Sequence, residues 1–120
     1  MSAPLYVEAL ALTLAVETPI YCLLLTHFVG VRLREALAAA IVVNLVSHLL
    51  FTFVLVPAVG QYVSSVGAVL VGEVVVCALE AGLLFVWLRR DLLVVIAASL
   101  IANGCSLAAG LILFSLVPPS

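Results

Sequence analysis

Lysine is absent from this chain, and four arginines supply all of its permanent positive charge. Only 8% of the 120 residues are charged, whereas soluble domains carry about a quarter. With no basic tail and no interleaving of Arg with aromatic residues, nucleic-acid binding has no support. Cysteine is scarce as well. Cys22, Cys77 and Cys105 lie inside apolar runs and none forms a CxxC pair, so they read as small buried hydrophobes. Also missing are a serine-histidine-acid arrangement, a phosphate loop, a zincin motif and a haem attachment sequence. No cofactor is implied, and no soluble nucleotide-binding part is present, so any transport must draw on a gradient or on another chain.

What the chain has instead is hydrocarbon. Hydrophobic residues make up 68% of it, and its mean hydropathy is +1.49. A water-soluble fold of this size has too little interior to hide that much apolar surface, so the expected solvent is lipid. The formal charge of -2 carries little weight, because most of the acids fall within apolar runs. No basic segment precedes the first run, which is therefore expected to be retained rather than cleaved as a signal peptide.

A bilayer core of ~30 Å needs about 20 helical residues, and four runs qualify: 5–29, 33–56, 62–88 and 92–117. Gly30 with the Arg32-Leu33-Arg34-Glu35 cluster ends the first arm, and Pro57-Ala58-Val59-Gly60 makes the second break. Arg89-Arg90-Asp91 forms a tight third turn, and Pro118-Pro119 stops the last helix. The expected fold is an all-α membrane protein, a single domain over 1–120 with four transmembrane helices. All four arginines fall in turns 30–35 and 89–91, which two spans separate and which therefore share one face. The positive-inside rule places both turns in the cytoplasm and both termini outside, most naturally in a plasma (inner) membrane.

The two hairpins resemble one another. Residues 15–25, AVETPIYCLLL, align without gaps on 78–88, ALEAGLLFVWL. Each is followed by an Arg-acid pair, Arg34-Glu35 or Arg90-Asp91, and then by Asn with Ser three residues on: Asn44 and Ser47, Asn103 and Ser106. Repeat units over 1–58 and 62–120 would each hold an even number of spans. They form a 2+2 parallel repeat about an axis along the membrane normal.

Helical spacing gathers the polar residues into stripes. Thr13, Glu17 and Tyr21 share a face of the first helix; Asn44, Ser47, His48 and Phe51 share one on the second. Ser65, Glu73, Cys77 and Glu80 fall near one line on the third, and Ser99, Asn103, Ser106 and Gly110 on the fourth. At ~1.5 Å per residue both Asn residues lie ~18 Å from the Arg turns, near the midplane, with Glu17 at a similar level.

Inserting each deep acid costs on the order of 2.5–3.5 kcal/mol unless it is protonated, paired or bound. No Arg or Lys lies in the runs to pair with one. The bland remedy is a neutral Glu bonded to Asn44 or Asn103; the functional one is a bound cation or an exchangeable proton. Glu17, Glu80, Glu73, Asn44, Asn103, Ser47, Ser106, His48 and Tyr21 are therefore the candidate substrate- or ion-binding residues. His48 can relay protons or simply hold a structural hydrogen bond, and His27 can snorkel at the interface. Glu73, Cys77, Glu80 and His48 have the chemistry of zinc ligands but not the paired spacing of a metal motif, so no metal or catalytic residue is assigned. Pro19 and Gly82 weaken the helix just after each repeated Glu, which suits a bend or an ion held by backbone carbonyls.

Three functions fit these residues. The first is a gradient-driven transporter or channel component for a proton, cation or small polar solute, completed as a homo-oligomer. The second is a non-catalytic subunit of a larger membrane complex, whose other subunits offer cations to the acids. The third is an intramembrane enzyme acting on a lipid or isoprenoid.

Overall fold

Hydrocarbon solvates neither amide N–H nor carbonyl, so a chain of this composition has to satisfy its backbone within each segment. It does so with helix. The computed structural model describes residues 3–55, 65–89 and 91–116. Four long helices follow one another: α1 (Ala3–Leu24), α2 (Leu33–Leu50), α3 (Ser65–Leu88) and α4 (Leu92–Leu116). A π-helical turn over Leu25–Val29 prolongs α1, and another over Phe51–Leu55 prolongs α2. All four helices are long and apolar enough to cross a membrane, as the sequence predicts. The expected span ends at residues 56, 62 and 117, and the break at 57–60, lie outside the described residues.

Local chemistry explains the turns. Gly30 closes the first helix in the left-handed region, at φ 75°, with its N–H on the Leu25 carbonyl. A glycine suits that position because it has no Cβ to clash. Arg89 ends α3 at φ 53° and sends its N–H to the Phe85 carbonyl at 2.8 Å. Asp91 then caps α4, its Oδ1 accepting the Val94 N–H at 3.3 Å. Pro19 does not break α1, which runs on to Leu24 with the proline ring exposed. The departure from α-helical geometry comes later, at Leu25–Val29.

Each helix packs against two neighbours: α1 against α2 and α4, and α3 against the same pair, which leaves α1 and α3 on a diagonal. The inner faces carry small residues at helical spacing. Ala36, Ala39, Ala40 and Val43 are buried on α2, and Val95, Ala98 and Ala102 on α4. Small side chains let the helices approach closely, which matters where lipid gives no hydrophobic force between them. Large aliphatics face outward instead, Leu93 at 78% and Val74 at 70% exposure. The molecule measures 44 × 28 × 20 Å, its long axis matching a bilayer with its headgroups, about 40–45 Å.

Candidate functional site

Glu80 is the hub of the interior. Its Oε1 accepts the Tyr21 hydroxyl at 2.6 Å and the Asn103 amide Nδ2 at 3.0 Å, while Oε2 accepts the Ser47 hydroxyl at 2.5 Å. These three donors come from α1, α4 and α2, so one carboxylate from α3 ties all four helices together. A buried acid needs such donors, because leaving it bare in a water-free core is costly.

A second layer braces the hub. Asn103 Nδ2 also donates to the Ser99 carbonyl at 2.9 Å, and the Ser99 hydroxyl donates to the Cys77 carbonyl at 2.8 Å. Ser47 Oγ lies 3.2 Å from the Asn44 carbonyl as well as on Glu80. Asn44 turns its Nδ2 to the Ala40 carbonyl at 2.7 Å, while its Oδ1 is buried with no partner.

Glu17 stands beside this network on different terms. It is 3% exposed and Glu80 1%. Its carboxyl group faces that of Glu80 and the hydroxyl of Ser106, yet its Oε1 has no hydrogen-bond partner. Thr18 Oγ1, next in sequence, is likewise buried and unpartnered. Glu73 is half-buried one turn or two along α3, on the side of the helix that meets α4. His48 is half-buried on α2. Among the described residues, no three His, Cys, Asp or Glu side chains gather into a metal-binding group, so Glu73, Cys77, Glu80 and His48 do not form one ligand set.

The structure thus brings together Glu17, Tyr21, Ser47, Glu80, Asn103 and Ser106, and leaves Asn44 bonded within its own helix. Sequence reasoning placed Ser99 on the right stripe but did not see its bond to the α3 backbone. It also missed Thr18, which no stripe marks, and the open groove between α3 and α4, for which Ala78, Ala81, Gly82 and Gly104 were the available signal. The chain matches no protein-family model, no curated protein and no solved structure.

Proposed function

We propose that this protein is a gradient-driven transporter or channel component for a proton, cation or small polar solute, working at the Glu17–Glu80 pair. The observation that carries the reading is two carboxyl groups side by side at the bundle centre, in a chain whose four arginines all sit at its turns. Adjacent carboxylates repel strongly where water is excluded, so the pair is stable only with a proton or another cation between them. The two members differ in a useful way. Glu80 is held by three donors, whereas Glu17 keeps an oxygen free to receive what arrives.

Two finer features belong to the same reading. The hairpins act as copies: Ser47 of the first meets Glu80 of the second, and Ser106 of the second faces Glu17 of the first. Asn44 and Asn103 each donate to the carbonyl four residues back. The Arg turns lie in the cytoplasm and both termini outside, in a plasma membrane. Four helices make a thin wall, so the pathway is completed by a second copy.

The subunit reading rests on a different acid. Glu17 and Glu80 turn into the bundle, away from any neighbour's cation, which leaves Glu73 to meet one. Purification in mild detergent separates the two readings, because a lone homogeneous oligomer counts against a larger assembly.

The decisive test uses isosteric variants in liposomes loaded with a pH-sensitive dye, under imposed proton, sodium or potassium gradients. Glu80→Gln keeps its acceptor for Tyr21 and Asn103, and its new amide can donate to Ser47, whose hydroxyl turns to the Asn44 carbonyl. Insertion and fold therefore survive. The wild type is expected to dissipate a gradient that Glu17→Gln and Glu80→Gln leave standing. Equal flux in all three overturns the proposal.

A further inference from the structure

On their outer side α3 and α4 part, leaving a groove of about 610 Å³. This is a ligand-sized space by the usual range of roughly 300–1,000 Å³. Its origin is a shortage of side-chain volume: Ala78, Ala81 and Gly82 on α3 face Gly104 on α4, and a Cβ added at either glycine would meet nothing within 4 Å. The walls are otherwise apolar, with two exceptions. Asn103, midway along, has its amide committed to Glu80 and the Ser99 carbonyl. Glu73 sits towards the end away from the Arg turn, and among the described residues no donor meets its carboxyl group.

Position along the bilayer gives the groove a direction. At ~1.5 Å per residue Glu73 lies ~24 Å from Arg89, past the midplane level of Asn103 and on the far side from the Arg turn. From there the groove runs back to Leu92 beside the Arg turn. Continuing the register of the repeat, in which Glu17 matches Glu80, puts Leu10 opposite Glu73. The second hairpin alone has this acid, so the internal symmetry of the core does not account for it.

We propose that the groove binds a long-chain amphiphile with a cationic head, its ammonium group against the Glu73 carboxylate and its tail along α3 and α4 towards Leu92. Charge complementarity selects the occupant. A fatty-acid head is repelled by Glu73, and a neutral alcohol leaves the carboxylate without a counter-charge in a largely apolar setting. The open side of the groove lets such a molecule enter sideways from the lipid. This site is distinct from the buried pair and does not depend on transport through it.

The test compares two spin-labelled probes in phosphatidylcholine nanodiscs holding the full chain: a hexadecyl trimethylammonium ion and the uncharged alcohol of the same chain length. Electron spin resonance reads the motionally restricted fraction of each. The wild type is expected to restrict the ammonium probe severalfold more than the alcohol. Glu73→Gln, isosteric and half-buried, removes that preference. Gly104→Leu fills the groove without a backbone clash and brings both probes down to ordinary boundary-lipid levels. Glu17→Gln and Glu80→Gln keep the preference, so loss of flux in those variants and loss of binding here are separate results. Equal restriction of the two probes by the wild type, or an unchanged preference in Glu73→Gln, overturns the proposal. So does a groove closed by a second copy, recognised when Gly104→Leu converts a dimer to a monomer and neither probe is restricted.

Discussion

The Tyr21 hydroxyl donates to Glu80 Oε1 at 2.6 Å across the diagonal of the bundle, joining two helices whose backbones do not pack against each other. Both residues are fully or almost fully buried, so the bond has no water to compete with it. Tyr21→Phe keeps the ring and deletes the donor. Buried interhelical bonds in membranes average ~0.6 kcal/mol and reach ~1.7, and this one, to a carboxyl group, belongs at the upper end. The variant is expected to lose about 1–2 kcal/mol in an SDS titration from mixed micelles. No change in the midpoint would mean that Asn103 and Ser47 alone satisfy Glu80.

The two acids of the pair should respond to truncation in opposite ways. Glu80→Leu strands the Tyr21 hydroxyl and one bond of Asn103, and leaves the Ser47 hydroxyl only the Asn44 carbonyl, at a cost of about 2–3 kcal/mol. Glu17→Leu removes an oxygen that has no partner together with a like neighbour of Glu80, so stability is expected to hold or rise. Unfolding of both variants in the same micelles checks the ranking. Equal losses would show that Glu17 braces the fold as Glu80 does.

Periodicity made the helices legible, and with them the inward placement of Glu17, Glu80, Asn103 and Ser47. In a membrane bundle each helix has only one polar stripe, and the only low-energy place for four such stripes is a shared interior. The partnering within that interior was not legible. A stripe fixes direction but not which donor wins, so nothing in the sequence says that Glu80 takes three donors while Asn44 bonds backward to Ala40. Pro19 removes one hydrogen bond, but a membrane helix packed on its neighbours absorbs that loss, and α1 continues past it to Leu24. The π-helical turns at Leu25–Val29 and Phe51–Leu55 have no sequence signature at all.

Glycines on α3 are predicted to differ sharply from one another. The Phe51 ring lies over Gly72, where an added Cβ would enter the ring itself. Gly72→Ala must displace Phe51 and with it the α2–α3 contact, at about 1–3 kcal/mol. Gly82→Ala meets open space and is expected to stabilise the helix by ~0.5–1 kcal/mol. Thermal unfolding in detergent gives both signs in one experiment. Pairing Gly72→Ala with Phe51→Leu should recover most of the loss, since the leucine vacates the space the new methyl group needs; no recovery would locate the cost elsewhere in α3.

The turn between α3 and α4 holds two residues under opposite stresses. Arg89 sits at φ 53°, a left-handed conformation that costs a residue with a side chain roughly 1–2 kcal/mol. Its Nε bond to the Val86 carbonyl, at 3.1 Å, is exposed and offsets little of this. Arg89→Gly is therefore expected to raise stability by about 1 kcal/mol. Asp91 instead supplies the cap of α4, so Asp91→Ala should cost about 1 kcal/mol by exposing the Val94 N–H. The glycine variant also removes one of the four charges on which the proposed orientation rests. Labelling of single cysteines in cells, with Cys22, Cys77 and Cys105 replaced, reports that second effect separately. A stabilised protein with mixed labelling on the two faces would mean that the arginine is kept at a strained position for its charge, and unmixed labelling would mean that the remaining three arginines suffice.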